Sequence, residues 1–325
     1  MKIKKFNVGW FALILGSVGV ALASLSLFPT LSWILAYLLT AIFAVLTIIW
    51  IAKIILHFDI VSKELQHFMM GNFYPLQPIS AVLLAILYYK LSIPFEKPLL
   101  IYGAVLIFIL AIYLSYHFFA TTTSKLHHIH GGWFIPAVST ILVTYAILLI
   151  YPSNLTAFAV SLMFFGIGFM LFLFIATILF LRLITHELPE AELAPTNFLL
   201  LAPVGILILD FMLIGQYASG LFNANILNII ALIASLSLWG FGIWVLIINI
   251  MILLKYLGKE YPFFLGWWSY VFPTSAFTVG TMMLSHKIEM LKYVAIALYV
   301  LLIFFWVIVT VHTFRMLLKK IFRRV

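Results

Sequence analysis

Long apolar runs separated by short polar breaks fill the chain from end to end. A membrane-crossing helix needs about 20 mostly apolar residues. Ten runs meet that length, at roughly 6–28, 32–56, 72–92, 98–119, 132–151, 156–184, 196–217, 225–256, 265–285 and 290–317. The breaks are short, which predicts antiparallel neighbours. They pair into helical hairpins at about 6–56, 72–119, 132–184, 196–256 and 265–317. The longest breaks, near 57–71, 120–131 and 185–195, are too short to fold alone and are expected as loops. The first run exceeds the roughly 7–15 apolar residues of a signal-peptide core, so it is expected to stay as the first helix.

The runs are of two kinds. Odd-numbered runs carry proline or small residues: Gly16 and Gly19, then Pro75 and Pro78, Pro136, Pro203 and Pro273. Even-numbered runs are longer, rich in Leu, Ile and Phe, and lack a central proline. Each key proline follows an aromatic, in FYPLQP, WFIP, NFLLLAP and YVFP, which reads as a repeat of hairpins. The stretch Trp267–Thr281 is the least lipid-like. Pro273 frees the carbonyl of Ser269, and Ser269, Thr274, Ser275, Thr278 and Thr281 bring hydroxyls. Irregular backbone at membrane depth survives only beside protein or a water-filled cavity. The expected fold is therefore all-α and integral to the membrane. Ten transmembrane helices form five hairpins, with the five bent helices inside, kinked at Pro78, Pro136, Pro203 and Pro273 around a central pore. The whole of 1–325 forms a single domain.

Composition agrees. The chain is 66% hydrophobic and 8% charged, against about 25% charged in soluble domains. Of the 18 basic residues, all but Lys90, Lys97, Lys287 and Lys292 fall on the side of the two termini. They include Lys2, Lys4, Lys5, Lys53, Lys63, Lys125, Arg182, Lys255, Lys259, Arg315 and the tail Lys319–Arg324. The positive-inside rule then puts both termini in the cytoplasm. The tail is expected to meet anionic lipid head groups, not nucleic acid. No cysteine is present, which excludes disulfides and thiolate chemistry. His127, His128 and His130 suggest a metal cluster, but no nearby carboxylate completes one, and a juxtamembrane polar loop is the simpler reading. No metal site and no cofactor is expected. A membrane enzyme would need clustered His, Asp or Glu at one membrane face, and these residues are scattered.

Asp210 is the one acid deep in a predicted helix. Such charges are costly and commonly functional. It is either a proton-coupling or substrate-repelling group, or a structural cap. No Lys or Arg is central to any run, so anion preference would have to come from backbone amides, hydroxyls and positive vestibules.

Four motifs stand in order: GWFALILG at Gly9–Gly16, WFIPAVS at Trp133–Ser139, PTNFLLLAPVG at Pro195–Gly205 and WWSYVFP at Trp267–Pro273. Together they resemble the tellurite-resistance/dicarboxylate transporter family, which includes bacterial TehA, yeast malate permeases, fungal sulfite pumps and plant slow anion channels. The resemblance implies quasi-five-fold symmetry, a pore in each subunit and a homotrimer. It also implies a pore-closing phenylalanine on the ninth helix, here Phe272, with Phe11, Phe134 and Phe198 lining the pore. This sequence departs from the TehA-like first helix at Ala12 and Ile14, where that helix carries Gly and Pro. The function expected is a plasma-membrane anion channel or facilitative permease for small anions or organic acids. The alternative is a proton-coupled C4-dicarboxylate (malate) or sulfite transporter.

Overall fold

The computed structural model describes residues 3–120, 125–218, 224–257 and 261–322. Lys2, Lys259, Arg323 and Arg324 lie outside them, as do the side chains of Lys320–Val325. Eleven α-helices are present among the described residues, and no strand. They are α1 Phe11–Ser24, α2 Pro29–Leu56, α3 Phe58–Gln66, α4 Leu76–Leu91, α5 Glu96–Ala120 and α6 Phe134–Ile150. Then come α7 Leu155–Thr185, α8 Leu201–Ala218, α9 Ala224–Leu257, α10 Trp268–Ser285 and α11 Leu291–Phe322.

Packing sorts the helices into two sets. α1 packs on α4, α4 on α6, α6 on α8, α8 on α10, and α10 returns to α1, closing a circuit. α2, α5, α7, α9 and α11 each pack on the inner helix that precedes them, α3 aside. Small residues let the inner backbones approach. A methyl on Gly16 would meet the Trp268 ring at 2.6 Å, one on Gly19 would collide with Ser275, and one on Gly205 with the backbone of Ala276. Without a hydrophobic drive between helices in lipid, such contact and interhelical hydrogen bonds are what hold a bundle together. Hydroxyls and indoles both supply bonds between the two sets, as Ser32 of α2 to the Ala21 carbonyl of α1 (2.7 Å) shows for the hydroxyls. Trp239 of α9 donates to Thr281 (3.2 Å), Trp268 of α10 to Thr313 of α11 (3.2 Å), and Trp306 of α11 to Ser17 of α1 (3.0 Å).

Seven helical segments are long and apolar enough to cross a membrane, or eight if Phe58–Gln66 and Gly71–Leu91, bent by 104°, count as one. Val8–Ser24 is shorter, and Trp268–Ser285 is not among them. The stretch 57–71, expected as a loop, contains α3. Its period is helical: Val61 is buried, and Asp59 in the first turn and Lys63 in the last suit the helix dipole. α3 is anchored by Lys53, which is buried and donates to both Glu64 oxygens (2.7 Å each) and to the Phe6 carbonyl (2.8 Å). The Tyr74 hydroxyl donates to the same carboxylate at 2.7 Å.

The prolines differ in what they do. Pro273 lies inside α10. Pro78, Pro136 and Pro203 each stand third in their helix. There the missing N–H has no intrahelical partner to lose. These three therefore start helices and do not kink them. Each inner helix is entered through a 3-10 segment, at Val8–Trp10, Gly71–Phe73, Gly131–Trp133, Ala194–Leu200 and Leu265–Trp267. The hydroxyls of α10 are satisfied locally. Thr274 donates to Tyr270 O, Ser275 to Phe272 O, Thr278 to Thr274 O and Thr281 to Phe277 O, all at 2.7–2.8 Å.

Candidate functional site: an axial path through the inner helices

Two cavities lie along the inner circuit. The larger, about 1300 Å³, is at the end where the inner helices begin. Ala12, Leu76, Ile135, Leu199 and Ser269 line it, one from the start of each inner helix. The smaller, about 70 Å³, lies further along. Seven residues beyond the first set, Gly19, Leu83, Leu142, Ile206 and Ala276 line it; three further on, so do Leu22, Ile86, Tyr145, Leu209 and Val279. Steps of seven and three keep a residue on one helical face. The same interval recurs in all five inner helices, so all five turn an equivalent stripe toward a common space.

Phe272 lines both cavities and is the one residue they share. It is 5% exposed. Stepping three residues from the first set on each helix gives Leu15, Ile79, Val138, Ala202 and Phe272, all buried. Phe272 is thus the one aromatic side chain at the level that separates the two spaces. The larger cavity also has Lys5, Glu192 and Thr196 in its wall, and the smaller has Lys90 and Ser275.

Phe11, Phe134 and Phe198 line neither cavity, contrary to the pore-lining expectation. Each comes one residue before its helix's stripe (Ala12, Ile135, Leu199), and one residue turns a helix by about 100°. Each ring reaches an outer helix, and that of Phe198 also packs on Tyr270 of the inner helix α10 at 4.8 Å between centroids. Phe11 meets Phe43 of α2 at 6.0 Å between centroids, Phe134 meets Phe172 of α7 at 6.0 Å, and Phe198 meets Phe305 of α11 at 5.8 Å. The aromatic before the stripe in α1, α6, α8 and α10, where α4 has Pro75 instead, is a packing residue. The signal available was the stripe interval itself.

Asp210 follows Leu209 of the stripe and is 0% exposed. Neither carboxyl oxygen has a hydrogen-bond partner, so it caps nothing. It interacts electrostatically with Tyr145, which lines the smaller cavity. His127 and His128 pack edge to face, and His128 stacks on Phe68. His130 turns inward and is buried against Phe73. The three do not converge, and no group of three His, Asp or Glu placed to hold a metal occurs among the described residues.

The fold is a multi-pass helical bundle around a shared lining. Residues 5–314 match the family described as SLAC1, voltage-dependent anion channel. The chain belongs to this family, and is a membrane anion channel or transporter and not an enzyme. It is similar to two uncharacterized transporters of Methanocaldococcus jannaschii. One is 29% identical over 331 residues, covering 96% of this chain and 94% of the relative. The other is 28% identical over 330 residues, covering 96% and 93%.

Proposed function

We propose that the protein is a passive anion channel or facilitative permease of the plasma membrane, closed by Phe272 and passing small anions or organic acids. The observation that carries this reading is that Phe272 alone lines both cavities. A phenyl ring in a narrow apolar bore stops flow by filling it and by dewetting the constriction. In this reading the chain is one domain of ten spans. The short α1 and the hydroxyl-rich α10 cross inside the wall made by the others, and the five hairpins stand in quasi-five-fold order. Both termini are cytoplasmic, following the basic residues, and subunits assemble as a homotrimer with a pore in each. The lysines of the lining stand at its ends, Lys5 before α1 and Lys90 in the last turn of α4, which suits weak binding and conduction. The test is current through a planar bilayer. Wild type conducts little, and Phe272→Ala gives a current at least ten-fold larger with an anion-selective reversal potential. A folded, silent Phe272→Ala protein overturns the gate.

A second reading is favoured by Asp210, whose unpartnered carboxyl beside the smaller cavity is a site for a proton. In a proton-coupled dicarboxylate or sulfite transporter, reversal potential shifts with a pH gradient, and Asp210→Asn removes the shift. A wild-type reversal potential blind to the gradient leaves the passive reading standing alone.

A further inference from the structure

Away from the axial path, a group of buried polar side chains at the starting end of the inner helices lacks protein partners. Arg182, in the last turn of α7, is 5% exposed, and neither Nε nor Nη1 has a hydrogen-bond partner. The one ion pair among the described residues is Lys53–Glu64. Glu187, Glu190 and Glu192 follow Arg182 closely in the chain, yet none pairs with it. A buried guanidinium with two of its three nitrogens unpartnered, and only the Tyr256 hydroxyl as a favourable electrostatic neighbour, is costly. His130 lies within electrostatic reach of Arg182 and is 2% exposed. Its Nδ1 accepts the Gly132 N–H at 3.1 Å. The other ring nitrogen, Nε2, must then carry the proton, and it too is buried without a partner. Asn197 closes the group. Gly131, next to His130, lies against the Thr196 carbonyl and the Asn197 amide. Asn197 is itself buried, with both amide atoms unpartnered.

Donors outnumber acceptors here. Arg182 and His130 offer only N–H groups, and Asn197 offers two N–H against one carbonyl. Such an excess of donors around a cation suits an oxyanion, and a guanidinium favours the planar, two-oxygen presentation of phosphate. The place also fits. Arg182 ends an outer helix at the side rich in basic residues, where head-group phosphates and free phosphate are both available.

We propose that Arg182, His130 and Asn197 form a phosphate-class oxyanion site, separate from the axial path, that ties α7 to the entry segments of α6 and α8. The site does not depend on the gate reading.

The test is thermal unfolding of the purified full chain in sodium phosphate against sodium chloride at equal ionic strength, and in phosphatidylcholine vesicles with and without phosphatidylglycerol. Wild type gains several degrees from phosphate, from phosphatidylglycerol, or from both. Arg182→Gln loses the gain, with phosphate affinity reduced at least ten-fold. Asn197→Leu, which removes the unpartnered amide and leaves the charge, reduces the gain even if Arg182→Gln fails to fold. Phe272→Ala keeps it. Protection by phosphatidylglycerol alone identifies a head group as the occupant, and protection by phosphate alone identifies the free ion. Equal midpoints in all four conditions overturn the proposal, as does a gain that survives in Asn197→Leu unchanged.

Discussion

Helices α6 and α7 are joined by a short turn and differ little in hydropathy. The segment Gly131–Ile150 scores 2.1 and Leu155–Thr185 scores 2.6. Yet the best window of the first is 94% buried and that of the second 22%. Hydropathy therefore identifies what can cross a membrane and says little about what faces lipid. Side-chain size and hydroxyl content make that distinction. α6 carries Ser139, Thr140 and Thr144, all buried and bonded to nearby carbonyls. α7 leaves Leu173, Phe174 and Ile184 exposed. The same contrast holds between α10 and α11.

Glycines break this comparison most sharply. A methyl at Gly205 runs into the backbone of Ala276, which no rotamer change relieves, whereas Gly166 of α7 and Gly240 of α9 have nothing within 4 Å. Gly205→Ala is expected to destabilise by about 3 kcal/mol or more, read as loss of folded protein in detergent. Gly166→Ala and Gly240→Ala are expected to be neutral or to stabilise by up to about 1 kcal/mol, the helix-propensity difference. Equal effects at the three positions would erase the distinction between inner and outer helices.

Charge at the rim sharpens it next. Lys53→Met leaves the Glu64 carboxylate and the Phe6 carbonyl without their cation. The expected loss is about 3 kcal/mol, at the low end for a broken enclosed pair because Glu64 keeps 24% exposure. Limited proteolysis within 57–71 should detect the freed α3.

An effect of similar size, spread over a pH range, comes from His130. Burial, then the Arg182 charge, lowers the pKa of His130 to about 4. The unfolded chain binds that proton near pH 6.5 and the folded chain only near 4, so stability falls as pH drops from 6.5 toward 4 and is flat below. The full loss is roughly 3 kcal/mol. His130→Asn, which keeps an acceptor for Gly132 N–H, should flatten the midpoint-versus-pH curve across that window.

Much of this was legible in the residues. Proline and small-residue content separated the inner helices from the outer, and the position of Phe272 followed from the WWSYVFP run. The faces were not legible to one residue. Phe11, Phe134 and Phe198 sit one position from the lining stripe, a difference that a motif of adjacent aromatics cannot resolve. A helix start and a mid-helix bend carry the same residue, so Pro78, Pro136 and Pro203 read as kinks in the sequence and stand at helix starts in the fold. The helix at Phe58–Gln66 was missed because it is short and polar on one face. Nothing in the sequence spacing of His130 and Arg182 signals that they come within electrostatic reach of each other, or that Asn197 stands beside Gly131, since three separate elements carry them.

All five inner helices begin at the 1300 Å³ cavity. They therefore run in parallel, and their amino ends converge on one chamber. Each helix dipole is equivalent to roughly half a positive elementary charge at that end. An anion in that chamber meets a field built into the backbone, beside Lys5 and Glu192 in the wall, and no single side-chain substitution removes it.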